Sequence, residues 1–591
     1  MGKVSAETSD QTVSIEPFDY SKVVFTIGSE EAKKGGRLRF DMSGDPAHLN
    51  PLTSKDSYEL TVNQLIMGTL ITYDIDNDEP LPYIADGWKI DVLPDSRQTF
   101  TFHINPDACF SDGHAITADD VIFSYRVFFD DDYPTAHNRP YYSSISKAEK
   151  LDDLTVRFET IDTYYLNFSM LGSLQILPRH LYEPYMVAKY KEKKENVTPN
   201  LSLHPVGCGP YTFSEWIRGK HILLQRDWKW WGNRLPHFSN CYNFDIIQIK
   251  IIKDPKIAFE HFKRGDIDYY VFTASQWVRE TDTDAFRSGK LRKIEIHNKV
   301  PGGYTFIGWN LINPELSNLA KMEFVPHSLF GSAKVRKAMT HLIDRELYVE
   351  KYRYGYSMRC TSPFGNRSDY SDPSIKPYNF DPDLALNLLK EEGWNDHDLD
   401  TILDKTVDGS KIDFIFTLLI PADSPAMEAM ASIIREDLRA MGIIMNIKTV
   451  EWNSFQKLTD DKTFDAFTMG WTGTIHPDPR GLWHSSSAAP GGNNLVTYIN
   501  PEVDRLCDEG VKTLDKEQRF DMFRQIHRIL HEEQPYTFLT EPLCDLMGVN
   551  SRIHIMYNPR TGEPTFDYGT GAIQYWWIEE PENNEGKATR Q

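Results

Sequence analysis

The sequence predicts an α/β fold wound around a largely parallel sheet, and three observations carry the prediction. Between residues 411 and 471, KIDFIFTLLI reads as a strand, PAMEAMASIIREDLRAM as a helix stopped by Gly442, and IIMNIKTV as a strand. EWNSFQKL follows as a short helix and TFDAFTMGW as a third strand. Short joints in such an alternation imply parallel strands with right-handed crossovers. The chain also has 591 residues, more than one hydrophobic core accommodates, so two or three domains are expected.

Taken in order, residues 1–34 are polar and unpatterned and are expected to be a flexible tail. RLRFDM alternates as a strand, and Tyr58 to Leu70 places Leu60, Gln64, Leu65 and Met67 at helical spacing. PLPYIADGWKI, QTFTFHIN and LTVRFET read as strands, whereas TADDVIFSYRVFF reads as a helix with Thr117 as N-cap and Asp120 three positions on. Lys189 to Asn200 is a charged loop carrying two N-x-S/T sequons, at Asn196 and Asn200. Two strands follow in PVGCGPYTFSEWIRGKHILLQRD, and FDIIQIKII is apolar enough to suggest a strand buried on both faces. IAFEHFKRGDIDYYVF reads as helix, Gly C-cap and strand.

GGYTFIGWN opens a further unit as a strand. Residues 332–347 carry Val335, Ala338, Met339, Leu342 and Ile343 on one helical face, with Ser332 as cap, and predict one continuous helix. Asp381 to Lys390 begins another, closed by Gly393. VDRLCDEGVKTLDKEQRFDMFRQIHRILHEE gives two helices and PYTFLTEPL a strand.

The net charge of −22 argues against a nucleic-acid backbone or an anionic membrane surface as partner. No run approaches the roughly 18 uninterrupted apolar residues of a membrane span, and the first thirty residues lack the pattern of a secretory signal. Either the protein is cytosolic or a signal has been removed. Six scattered cysteines without a CxxC are too few for a disulfide scaffold; one or two bridges are possible, with partners that spacing does not assign.

The stretch with most chemical promise is TFDAFTMGWTGTIHPDPRGLWH. Its strand opens into a loop at the carboxyl edge of the wound sheet, where open α/β sheets hold ligands. Gly470 permits close backbone approach, Trp471 offers a flat apolar face, and Thr472, Thr474, His476, Asp478 and Arg480 supply polar groups. No catalytic set is evident: His531-Glu532 lacks a zincin's second His, and neither a G-x-S-x-G elbow nor a P-loop occurs. The isolated His180, His204 and His476 read as loop or core histidines, and no metal or cofactor is expected.

GGRLRF, LNPLTSKDSYE, FHINPDACFSDGHAITADDVIFSY, PVGCGPYTF, FKRGDIDYY, KVRKAMTHLIDREL, EWNSFQKL and GWTGTIHPDPRGLW, in this order, resemble the family 5 extracellular solute-binding proteins of peptide ABC transporters. The resemblance covers roughly residues 35–580. It implies a type II periplasmic-binding fold of two lobes with hinge strands and an inserted α+β accessory domain. Lobe I would combine residues 35–65, 176–299 and 540–591, the insert would be 66–175, and lobe II 300–539.

The implied function is a non-catalytic receptor that closes over a peptide or peptide-like solute and delivers it to permease subunits. A non-peptide solute such as an oligosaccharide, or a hydrolase on the same scaffold, is the alternative; nickel or haem is a minor option. The implied setting is periplasmic, or an extracellular membrane-anchored lipoprotein whose signal peptide is absent from this chain, acting as a monomer. The ligand residues implied are Ser54, Asp56, Ser57, Phe272, Tyr304, Trp452, Gly470, Trp471, Thr472, Thr474, His476, Asp478 and Arg480. Where peptide-binding relatives place an Asp for the ligand's α-ammonium, this chain has Thr474. A hydroxyl does not neutralise a buried ammonium, so a blocked or modified amino end, a threading peptide or a non-peptide is expected unless Asp478 substitutes. Arg480 and His476 could then meet an anionic group.

Overall fold

The computed structural model describes residues 15, 17–20, 28–54, 57–75, 78–130, 133, 135, 138–186, 200–297, 303–407, 409–422, 425–557, 562, 564 and 572–579. Most of the polar N-terminal tail, the charged loop with the Asn196 sequon, and Asp56 lie outside the described residues. The chain forms two compact units, one of residues 1–270, 285–294 and 548–591 and the other of 271–284 and 295–547. Three of the four passages of the chain between units fall inside the strands Tyr269–Val271, Leu291–Ile296 and Asp545–Asn550, and the fourth in the short helix Asp284–Arg287.

The first unit holds two four-stranded sheets. In one, Arg37–Met42 pairs parallel with Ile246–Ile251, which continues antiparallel to His221–Arg226 and then Tyr211–Ile217. Ile246–Ile251 buries Ile247, Ile249 and Ile251 but leaves Ile246, Gln248 and Lys250 partly open, so the expectation of burial on both faces is corrected. Only one face of this strand meets core, and period-two alternation was legible in IIQIKI itself. A fully buried carboxylate, Asp268, ties the unit's distant segments together. It accepts from the Arg39 backbone N–H at 2.7 Å and from Arg552 Nε and Nη2, both at 2.8 Å.

The second sheet of this unit runs Ala85–Val92, Gln98–Ile104, Thr155–Thr160, Ile145–Lys150, all antiparallel. Helix Ala118–Arg126 covers it, and its predicted cap is present: the Thr117 backbone N–H donates to Asp120 Oδ2 at 2.9 Å. Tyr125 meets Phe158 edge-on at 5.5 Å and donates its hydroxyl to the Ile145 carbonyl. The helix expected over 58–70 spans Ser57–Ile66, ending before Gly68, whose Cβ would meet the Cys208 sulfur at 2.8 Å.

The second unit is organised on a five-stranded sheet in the order Ile444–Val450, Ile415–Pro421, Ala466–Trp471, Tyr304–Trp309, Tyr536–Phe538. The first three strands are mutually parallel, with helices Pro425–Ala440 and Trp452–Asp460 as the crossovers that the alternation predicts. The Tyr304 strand enters antiparallel between Ala466–Trp471 and Tyr536–Phe538. Trp309, Phe330, Trp394, Phe414 and Phe416 form the large residues of the core beneath it.

The helix predicted continuously over 332–347 is two helices, Ala333–His341 and Arg345–Lys351. The Asp344 carboxylate accepts the Leu347 backbone N–H at 2.9 Å, capping a new helix where the apolar stripe alone reads straight through. Val335, Ala338, Met339, Leu342 and Ile343 are nevertheless all buried. Arg336, also buried, donates to the carbonyls of Phe330, Gly331, Glu533 and Gln534, so the start of the first helix is fastened to the end of helix Lys516–Glu533. All six cysteines are free thiols.

Candidate functional site

Within the second unit, the loop that leaves the sheet at Trp471 lines a pocket of about 80 Å³. Its walls are Gly303 and Tyr304, the turn Pro363-Phe364-Gly365, and the loop residues Trp471 to Thr474 and Pro477 to Pro479 with Leu482 and Trp483. Tyr304 and Trp471 stand opposite one another as the last pair of the antiparallel ladder. Beyond that pair Gly303 still lies close against Trp471 and Thr472. Gly303 sits at φ +104°, and a Cβ there would lie 2.2 Å from the Trp471 carbonyl oxygen.

The floor is aromatic. Phe306 stacks on Tyr536 at 3.9 Å and on Trp471 at 6.3 Å, while Trp483 meets Tyr536 at 4.7 Å. Such rings bury large apolar area at little entropic cost. Two phenols in this assembly are buried: Tyr304 Oη has no hydrogen-bond partner among the described residues, whereas Tyr536 Oη interacts with the Trp471 indole. Burial pushes both phenols well above their ordinary pKa, so both hydroxyls keep their protons. An unpaired buried donor costs about 1–3 kcal/mol, which a bound acceptor would recover.

The rim is fixed by short-range hydrogen bonds. Thr474 Oγ1 accepts weakly from the His476 backbone N–H at 3.4 Å. Asp478, the one acidic residue of the lining, holds the Arg480 fork, with Nη2 to Oδ2 at 2.6 Å and Nε to Oδ1 at 3.0 Å, and also accepts the Arg480 backbone N–H. This bidentate pair starts the short helix Arg480–Trp483 and leaves the loop's acid and its base neutralising each other. The opposite wall is held by Ser371 Oγ, which bonds the Gly365 carbonyl at 2.6 Å and lies 2.5 Å from Ser362 Oγ.

Of the residues expected to meet a ligand, Tyr304, Trp471, Thr472, Thr474 and Asp478 share this pocket. Gly470 is one step inside the strand, where an added Cβ would meet the Tyr304 carbonyl oxygen at 3.2 Å. His476 and Arg480 belong to the same loop but are not part of the lining. Trp452 is exposed on the first turn of its helix, stacked on Phe455 at 5.6 Å. Phe272 is buried against Trp277.

Ser54 and Ser57 belong to the first unit. Ser54 is buried between the Asn50 carbonyl and Asn63 Nδ2, and Ser57 opens helix Ser57–Ile66. The wall from Pro363 to Gly365 was not anticipated; a Pro-aromatic-Gly triplet between turn residues was the signal available.

A wound sheet with an aromatic pocket at the carboxyl edge of its strands defines a ligand-holding protein, and comparison with known sequences gives its class. The chain belongs to the bacterial extracellular solute-binding proteins, family 5, whose middle region matches residues 79–493. Among curated relatives, the oligopeptide-binding protein AppA of Bacillus subtilis (strain 168) is 29% identical over 552 residues, covering 92% of each chain. The solved structure of Bacillus subtilis AppA in complex with a nonapeptide aligns with a TM-score of 0.72 and 27% identity, covering 93% of this chain and 100% of that one. NikZ from Campylobacter jejuni in complex with Ni(L-His) aligns with a TM-score of 0.72 and 22% identity over 92% of this chain and 99% of its own, a likeness of fold.

Proposed function

We propose that this chain is the non-catalytic receptor of an ABC importer, that its solute is a peptide or peptide-like molecule, and that the pocket behind Trp471 receives one part of it. The carrying observation is that pocket: an apolar, aromatic hollow whose wall bears a buried hydroxyl, Tyr304 Oη, with no hydrogen-bond partner among the described residues. Backbone of the loop from Trp471 to Thr474 in the pocket wall supplies amide groups that any peptide main chain matches, which makes the mode tolerant of side chains. Residues 35–65, 176–299 and 540–591 are assigned to one lobe, 66–175 to an insert and 300–539 to the other lobe, closing over the solute. Delivery to permease subunits by a monomer in the periplasm or anchored by lipid at the cell exterior completes the reading.

The chemistry of the rim narrows the solute. With Thr474 bonded to its own turn and Asp478 engaged by Arg480, the described residues of the lining leave no unengaged carboxylate to balance an ammonium. A free α-amine brought here would be desolvated without a counter-charge, at a cost of several kcal/mol. The proposed solute therefore presents a neutral or blocked end to this pocket.

Calorimetry on matched free and N-acetylated peptides tests both statements. We expect the acetylated series to bind at least tenfold more tightly, and Thr474→Asp to reverse the order. Tight binding of free dipeptides that is abolished by Thr474→Ala and indifferent to Asp478→Asn would overturn the amine argument. Failure of any peptide to bind, with an oligosaccharide recovered in the native mass spectrum, would overturn the peptide reading.

A further inference from the structure

We propose that Asp112, His114 and His180, on the surface of the first unit, form a binding site for a divalent transition ion of the zinc class. The three side chains come from two elements. Asp112 and His114 sit on a tight turn closed by the Gly113 N–H to the Phe110 carbonyl at 2.9 Å and the Phe110 N–H to the His114 carbonyl at 2.9 Å. Flanking that turn, Cys109 and Ala115 form an antiparallel bridge, and Gly113 takes φ +91°. His180 is the second residue of helix Arg179–Met186.

Three features distinguish this trio from scattered surface charge. The Asp112 carboxylate meets one ring nitrogen with each oxygen: Oδ2 lies 2.7 Å from His180 Nε2 and Oδ1 lies 3.2 Å from His114 Nδ1. The imidazoles are tilted 30° to one another with centroids 3.9 Å apart, and all three donor atoms fall within 4.8 Å of one another. Donors about 2.0–2.1 Å from a tetrahedral ion are about 3.3 Å apart, so the turn and the helix start are already near the spacing that such an ion requires.

The donor set also selects the ion. Two imidazoles and one carboxylate suit zinc, nickel or copper, whereas magnesium and calcium prefer all-oxygen surroundings. Binding moves the imidazole N–H protons to His114 Nε2 and His180 Nδ1, leaving the ligating nitrogens as acceptors. The side chains are partly open to solvent, His114 most of all, so water or an incoming ligand completes the coordination. In this geometry the ion clips the turn around Gly113 to the helix beginning at Arg179.

The test uses the full chain stripped with a chelator and titrated calorimetrically with zinc chloride, with magnesium chloride as comparison. We expect one zinc site per chain, no magnesium heat, and at least tenfold weaker zinc binding in His114→Ala and in His180→Ala. His297→Ala, which removes a histidine from the separate Glu295, His297 and Cys544 group, should bind as the wild type does. His114 is exposed, so its variant is expected to melt as the metal-free wild type does, and zinc should raise the unfolding midpoints of the wild type and His297→Ala but not those of His114→Ala and His180→Ala. Anomalous scattering at the zinc edge should peak where the Asp112 carboxylate, His114 Nδ1 and His180 Nε2 converge. Unchanged zinc affinity in the His114 and His180 variants, or a peak elsewhere, would overturn the assignment.

Discussion

At the scale of single residues, the pocket depends on positions whose side chains are minimal. Gly303 is required twice, by its φ of +104° and by the Trp471 carbonyl oxygen that a Cβ would meet at 2.2 Å. Replacing it with Ala either strains the backbone or parts the strand ends at the Tyr304–Trp471 pair. Gly303→Ala should cost about 1–3 kcal/mol in a urea titration and weaken solute binding more than stability. A variant as stable as the parent with unchanged affinity would show that the close approach carries no weight. The same scale explains why Asp478 reads differently in sequence and in structure. As a letter it is a free acid two residues from a base; in the folded loop it is half of a bidentate pair.

Among elements, helix Lys516–Glu533 shows how one packed face sets a pH limit. Its His527 accepts the Asp372 backbone N–H at Nδ1, 3.0 Å, and donates from Nε2 to the Thr361 carbonyl, 3.0 Å, which fixes the neutral tautomer. Burial, with nearby His531, pulls its pKa down to about 4. Burial does the same to His531, also to about 4. Unfolded imidazoles titrate near 6.5, so below that pH the unfolded chain binds more protons. Stability from these groups is complete above pH 6.5 and is lost as pH falls toward 4, by at most about 1.4 kcal/mol per pH unit for each histidine. His527→Gln, which retains an acceptor and a donor, should flatten that slope in urea titrations between pH 7 and 4.5; an unchanged slope would reassign it.

The helices around Asp344 carry a lesson about reading elements. The stripe from Val335 to Ile343 identified the buried face correctly, yet the break at Asp344 depends on a side-chain bond to Leu347 that apolar spacing does not register. Alternation in the strands of the second unit was a stronger guide, because a one-residue error would turn a whole strand's core face toward water. That is why three parallel strands and both crossovers were legible, down to the edge from which the Trp471 loop departs.

For the whole molecule, the proposed role makes a thermodynamic demand: a receptor must be stabilised by its solute. At a hundredfold excess over Kd the gain is about 2.7 kcal/mol, so the urea midpoint should rise with the N-acetylated peptide that binds best, and Trp471→Ala should abolish the rise. A midpoint indifferent to every peptide shown to bind would contradict binding to the folded state. The charge of −22 keeps such a protein dispersed and disfavours anionic partners, but says nothing about which solute it takes.

The sequence by itself determined the α/β class, the wound strands of the second unit, the core faces of its helices and the loop at which a ligand would be sought. These follow from local periodicity and turn chemistry, which are written along the chain. Tertiary structure decided the rest: the wall at Pro363–Gly365, the burial of the Tyr304 hydroxyl, the closure of Asp478 on Arg480, and the meeting of His180 with a turn 66 residues earlier. Each of these is a relation between groups distant in sequence, or a choice among hydrogen-bond partners, and only the folded backbone brings the competitors within reach.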